Sequence, residues 1–334
     1  MLAGRKFLVT GADGFIGSHL TELLVRQNAD VTALTQYESF GQNGWLDDLQ
    51  KDVYSSIKIC RGDIRDPGFV DGLVDKQDFV LHLAALIAIP YSYQAPHSYV
   101  DVNINGTLNL LDSCRRSDIT RMVHTSTSEV YGTAQFTPIS EGHPLVAQSP
   151  YAASKIGADM MVTAYARSFD LPAVILRPFN TYGPRQSERA VLPTIIRQAI
   201  DPKCEVIHVG NLTPIRDFNY VEDIAEAFLA ASTNGRLEYG TPYNAGSGIG
   251  VTIGEAASLI CEICGTKKTI ENDENRHRPK NSEVFELLAN AEKFQKTTGW
   301  TSNIKLRDGL TNTIEWWRQQ SEKTSLRRDQ SMMY

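Results

Sequence analysis

Short apolar runs alternate with longer stretches of helical spacing through the first half of the 334-residue chain. The runs Phe7–Thr10, Val31–Leu34, Ile57–Cys60, Phe79–Leu83, Met122–Thr125 and Val174–Leu176 have the length and residue types of buried strands. Between them, Phe15–Gln27, Val102–Ser117 and Tyr151–Phe169 repeat apolar residues with the spacing of a helix face. Parallel strands need crossover connections, and crossovers place helices on both faces of a sheet. The pattern predicts an α/β fold with a doubly wound parallel sheet.

After about Pro178 the pattern loosens. Loops at Tyr182–Pro184, Gly210–Pro214 and Gly240–Gly250 separate helix-like segments such as Val221–Ser232 and Leu306–Gln320. We expect residues 1–178 to form the main domain and 179–320 a smaller lobe, with segments of the latter free to return to the core. Residues 321–334 read as a polar tail, and no repeat or low-complexity segment is evident.

The first strand opens into Gly11-Ala-Asp-Gly14-Phe-Ile-Gly17 and then a helical pattern. Glycines in a strand-to-helix turn suit a dinucleotide pyrophosphate. Gly11 would allow the tight turn, Gly14 the approach of phosphate to backbone, and Gly17 close packing of helix on sheet. This makes the fold Rossmann-type. About twenty residues on, where a carboxylate often holds the adenosine ribose of NAD, stands Thr35-Gln36-Tyr37, with neither a carboxylate nor an arginine. NAD and NADP both remain open.

Charge and composition narrow the partners. A net charge of −6 gives no general attraction to nucleic acid or an anionic membrane, and no apolar run is long enough to span a bilayer. The N-terminus lacks the features of a secretory signal, and the five cysteines include one close pair, Cys261 and Cys264, on an amphipathic stretch. With no second pair to complete a metal site, these read as thiols on a helix in a reducing cytoplasm.

Tyr151-Ala-Ala-Ser-Lys155 places a phenol and an ammonium at i and i+4 on one helix face. A nearby cation favours the phenolate, so Tyr151 could take a proton from a substrate hydroxyl while hydride leaves the same carbon for a nicotinamide. The strand Met122–Thr125 runs into Ser126-Thr-Ser-Glu129-Val-Tyr-Gly132, at the strand end where ligands bind in open α/β sheets. Thr127 is expected to hydrogen-bond the reacting hydroxyl. Ser126 and Ser128 read equally well as turn or capping hydroxyls and as chemical groups.

The Gly-x-x-Gly-x-x-Gly spacing, Gly62-Asp-Ile-Arg65, His82-Leu-Ala-Ala85 and Tyr151-x-x-x-Lys155, in that order, resemble the extended short-chain dehydrogenase/reductases that modify sugar nucleotides. The resemblance extends to about Arg318. It implies that Asp13, Phe15 and Ile16 join the three glycines at the cofactor, that Asp63 and Ile64 flank the adenine, and that Leu83, Ala84 and Ala85 line it by backbone. It also implies that Lys155 holds the nicotinamide ribose. Arg177-Pro-Phe-Asn180-Thr-Tyr-Gly-Pro-Arg185 is similar to the family's substrate signature, with Asn180 at the phosphate region. A lone arginine reads as a surface ion-pair partner. Arg185, Arg216 and Arg278 stand in family-like contexts that instead imply a grip on the nucleotide diphosphate, for which a planar guanidinium is suited.

Glu129 narrows the resemblance to 4,6-dehydratases, whose corresponding segment reads Thr-Asp-Glu or Thr-Ser-Glu. There the glutamate removes the C5 proton once C4 is a ketone, water leaves from C6, and the hydride returns to C6. Ser128 stands where the Thr-Asp-Glu type has its acid, so Ser128 and Glu129 are both candidates for protonating the leaving hydroxyl. Leu86–Tyr93, Tyr37–Trp45 and Ser126–Gly132 most resemble the N-acetylglucosamine-nucleotide 4,6-dehydratases of legionaminic acid biosynthesis, acting on a UDP- or GDP-linked sugar. A UDP-glucuronate decarboxylase, with Arg185 recruited to the substrate carboxylate, and a 4-epimerase are the enzymatic alternatives. A catalytically silent dinucleotide sensor is the non-enzymatic one. The resemblance further suggests a homodimer through the Val102–Ser117 and Tyr151–Phe169 helices.

Overall fold

The computed structural model describes residues 2–274 and 282–323. Its centre is a seven-stranded sheet. Six strands come from the first half of the chain: β1 (Lys6–Thr10), β2 (Asp30–Gln36), β3 (Ile57–Gly62), β4 (Phe79–His82), β5 (Arg121–Thr125) and β6 (Ala173–Pro178). Their order across the sheet is β6-β5-β4-β1-β2-β3, and every pairing is parallel. The chain builds outward from β1 to β3, then crosses to β4, so the switch point lies between β1 and β4. That is where an open α/β sheet leaves a crevice.

Strand alternation divides the core into two layers. Phe7, Val9, Leu81, Val123 and Leu176 pack on one face, against Leu20 and Leu24 of helix α1 (Phe15–Arg26) and Ile224 and Phe228 of the helix Val221–Thr233. Leu8, Val80, Met122 and Ile175 pack on the other, with Leu110 and Leu111 of the helix Gly106–Arg116 and Val162 of the helix Pro150–Phe169.

The seventh strand, Pro242–Ala245, pairs parallel with β6 at the sheet edge. The sequence pattern had marked Gly240–Gly250 as a loop, and the structure corrects this by placing two short strands there, Pro242–Ala245 and Gly250–Thr252. Proline stands at the first position of an edge strand, where its missing N–H costs little. Asn244 is polar yet fully buried, because its side chain is hydrogen-bonded to Tyr131, Ile139 and Asn290. Neither feature leaves an apolar run to recognise.

A separate apolar cluster joins Tyr182, Leu192, Ile195 and Ile196 to Ile253, Ala257 and Ile260 and to Leu310, Ile314 and Trp317. This lobe carries only short strands, among them Ile215–Asp217, which lies between Gly250–Thr252 and Glu286–Leu287. Cys261 and Cys264 sit free on its helix Ile253–Cys264. Among the described residues, no helix is long and apolar enough to cross a membrane.

Candidate active site

The glycine turn fits a dinucleotide on geometric grounds. Gly11 has φ +68°, and a Cβ there would lie 2.8 Å from the Ala84 amide nitrogen. A Cβ on Gly17 would come within 2.1 Å of the Gly11 carbonyl. Gly14 caps α1 without any side-chain hydrogen bond, leaving the first-turn N–H groups of a 12-residue helix open to an anion. Phe15 and Ile16 form that first turn.

Asp13 reaches sideways. Its carboxylate accepts the Gln36 amide at the end of β2 (3.4 Å), and its carbonyl accepts the Trp45 amide. Burial raises the Asp13 carboxyl above its ordinary value despite hydrogen bonds from its own backbone and Gln36. Leu83 and Ala84 donate their amides to the Thr10 hydroxyl at 3.2 and 3.1 Å, which fixes the backbone leading into Ala85. Asp63 is bound by Arg65, whose hydrogen bonds hold its carboxyl low. Ile64 is buried against Gly106.

The second half of the site is assembled on the helix Pro150–Phe169 and the turn after β5. Tyr151 and Lys155 are 7% and 4% exposed. The Tyr151 phenol is hydrogen-bonded to Thr127. Thr127 caps a 3-10 turn, Ser128–Tyr131, by accepting the Glu129 amide at 3.2 Å. Ser128 is buried within that turn. Thr127, Glu129, Tyr151 and Lys155 therefore share one corner at the carboxyl end of the sheet.

Electrostatics at this corner differ from the simple expectation that Lys155 favours the phenolate. Burial pushes the Tyr151 phenol well above its ordinary value, the Thr127 hydrogen bond opposes this, and the Glu129 charge adds to the rise. Burial also pulls the Lys155 ammonium down to about 8, and the charge of Asp159 resists that fall. The phenol is desolvated more strongly than a charge on the same helix face compensates.

Asp159, His82, His124, Arg177 and Asn103 had no assigned role in the sequence. His82 is fully desolvated between Thr10 and Thr107, at 2.8 and 3.0 Å. Asn103 lies in a wide helical turn, Val100–Asn105, and clamps both the amide and the carbonyl of Leu86 while donating to Ser154. Wide turns of this kind often mark functional sites. The Lys155-to-Asp159 spacing, again i and i+4, was the available sequence signal for Asp159.

The substrate-side residues are dispersed. Asn180 follows β6, and its Oδ1 is buried without a partner, open to a donor from a bound molecule. Arg216 is buried, donating to the carbonyls of Ile215 and Val284 and approaching Glu283. Arg185 is committed to Glu22 on α1 at 2.8 Å; the structure does not bring it to the Tyr151 corner. Arg278 lies outside the described residues.

A model of the family described as GDP-mannose 4,6-dehydratase matches residues 8–313. The chain belongs to the GDP-mannose 4,6-dehydratase family. Its relatives in this family of sugar-nucleotide enzymes include a dTDP-glucose 4,6-dehydratase of Actinoplanes sp., 33% identical over 321 residues that cover 94% of this chain and 98% of the relative. Among solved structures, the dTDP-glucose 4,6-dehydratase of Streptomyces venezuelae, determined with NAD, superposes with TM-score 0.85 at 26% identity, covering 96% of this chain and 99% of the other. The UDP-glucuronic acid 4-epimerase of Bacillus cereus, in complex with UDP-glucuronic acid and NAD, gives 0.85 at 28% identity, covering 95% and 100%. Dehydratases and epimerases thus share this architecture.

Proposed function

We propose that this member of the family is a sugar-nucleotide 4,6-dehydratase with a retained nicotinamide dinucleotide, NAD or NADP, and that UDP- or GDP-linked N-acetylglucosamine is its substrate. Glu129 carries the reading: a carboxylate on the turn capped by Thr127, close enough to Tyr151 for its charge to act on the phenol. Thr127 orients the C4 hydroxyl and Tyr151 takes its proton. Lys155 supplies the positive charge at the phenol's helix face and holds the ribose. A nicotinamide dinucleotide, held by the Gly11–Gly17 turn and Lys155, would supply the acceptor for hydride from C4 and its donor to C6. Glu129 removes the C5 proton, which the C4 ketone acidifies, and delivers a proton to the departing C6 hydroxyl; Ser128, buried in the turn, stays structural.

A decarboxylase would need a cation for the substrate carboxylate. Arg185, the candidate for that task, is paired with Glu22. In a 4-epimerase Glu129 would have no proton to remove. The substrate sugar rests on the resemblance of Leu86–Tyr93 and Ser126–Gly132, and Asn180, Arg216 and Arg278 are its proposed diphosphate contacts. Exposed Met160, on the Tyr151–Phe169 helix expected to pair, supports a homodimer.

The test is mass spectrometry of sugar nucleotides incubated with the protein and either dinucleotide. A product lighter by one water from UDP- or GDP-N-acetylglucosamine is expected. Loss of carbon dioxide from UDP-glucuronate, or an isomer of unchanged mass, would replace the dehydratase reading.

A further inference from the structure

Beneath the Tyr151 corner lies a buried charged cluster. Asp159, on the same helix as Tyr151 and Lys155, is completely buried. Its Oδ2 accepts the Ser126 hydroxyl at 2.8 Å and Arg177 Nη2 and Nε at 2.9 and 3.2 Å. Its Oδ1 lies 3.4 Å from His124 Nε2. Arg177, itself 2% exposed, extends the network by donating to the Tyr131 hydroxyl at 2.9 Å, and Tyr131 donates to Asn244 at 2.6 Å.

We propose that Asp159 is a positioning residue for this site: one buried carboxylate that fixes three segments carrying Lys155, Thr127 and Glu129 in a single arrangement. It acts on Lys155 by charge along its own helix. It holds the strand end next to Thr127 through Ser126. It holds the Ser128–Tyr131 turn, and with it Glu129, through Arg177 and Tyr131. A neutral side chain would serve the packing but not the charge, and isolated burial of Lys155 is costly without a nearby anion.

The groups facing Asp159 and Lys155 agree with this division of labour. His82 on β4 and His124 on β5 both face the Lys155 ammonium. Both are driven towards the neutral form, first by burial, and His124 falls to about 4. Arg177 on β6 is already bound to the same carboxylate. Among the groups acting on Lys155, Asp159 is the one that favours its charge.

The direct test uses lysine labelled with ¹³C at Cε in the full chain, with the Lys155 resonance assigned by loss in K155M. It needs no substrate, so its failure is distinct from failure of the dehydratase reading on which the proposal's catalytic meaning rests. In the wild-type chain Lys155 should titrate at about 8. A midpoint below about 6, the range of a buried lysine lacking a counter-charge, would overturn the proposal. Asp159→Asn should move that midpoint down by at least one pH unit. Where the single variant does not fold, D159N/R177Q, which removes both members of the buried pair, carries the same measurement. An unchanged Lys155 midpoint with only a lower melting temperature would reduce Asp159 to a packing partner of Arg177. With a turned-over sugar nucleotide in hand, the variant should lose at least tenfold in rate at pH 8 and regain part of it at pH 6.5. A uniform loss across pH would contradict the positioning role.

Discussion

The Tyr151 corner and the C-terminal lobe handle polar groups in opposite ways. At the corner, a fully buried carboxylate is tied side chain to side chain to Ser126 after β5 and to a buried arginine on β6, and its charge acts on a buried lysine of the same helix. In the lobe, Arg216 donates to the main-chain carbonyls of Ile215 in its own strand and of Val284 and lies near Glu283, and Asp217 accepts from Ser247, Gly248 and Ala289. The first arrangement fixes charge relative to charge, as proton transfer requires; a 1 Å misplacement there is costly. The second fixes the backbone of short strands that cannot hold themselves together by length. Side-chain pairing of charges thus belongs to the parallel sheet, and backbone-directed pairing to a lobe built from loops and two- to four-residue strands.

Variants at the corner should break this contrast most sharply. Tyr151→Phe removes the proposed acceptor of the C4 proton, and both C4 oxidation and elimination should fall by on the order of 10²–10⁴, read as loss of transient reduced nicotinamide and of product. Glu129→Gln should separate the steps: reduced nicotinamide still forms on mixing, while elimination slows by on the order of a hundredfold or more. Unimpaired elimination in that variant would remove Glu129 from its role.

A smaller effect is expected where the seventh strand supports the corner. Asn244→Leu leaves the Tyr131 hydroxyl and the Ile139 carbonyl without their buried partner, and should cost about 1–3 kcal/mol in denaturant unfolding. No loss of stability would show that the edge strand is dispensable to the network.

The smallest effect belongs to Arg185→Ala, about 1 kcal/mol or less, with KM for the sugar nucleotide changed by less than about twofold. Burial would raise the Glu22 carboxyl, but hydrogen bonds and charges from Arg185 and Arg26 outweigh it and leave it below its ordinary 4.5. A depressed carboxyl contributes stability above its unfolded value and loses it as pH falls through the folded one. The stability gap between wild type and R185A should therefore be full above pH 4.5 and close in more acid solution. A tenfold rise in KM would return Arg185 to the diphosphate.

The same contrast explains what the sequence disclosed. Each apolar run read as a strand became one within a residue or two, because central parallel strands are buried on both faces and must be apolar, while the edge strand Ile57–Gly62 is partly exposed and admits Lys58 and Arg61. Tyr151 and Lys155 were visible because helical spacing alone brings them together. Asp159 was equally visible by spacing, but its importance depends on Arg177, Ser126 and His124, which meet it only after β5 and β6 pair. The strand Pro242–Ala245 was hidden by its proline and by an asparagine whose burial depends on Tyr131, more than a hundred residues away. The pairing of Arg185 with Glu22, about two turns into α1, was not legible, because a motif context says nothing of a partner 163 positions away.

The central claim is that a hydride is borrowed from C4 and given back to C6 of the same sugar. Sugar nucleotide deuterated at C4 tests it directly, with the product analysed by NMR. Deuterium is expected in the C6 methyl group of a 4-keto product, with no accumulation of reduced nicotinamide. Deuterium retained at C4 of an isomer, or released on free reduced dinucleotide, would contradict it.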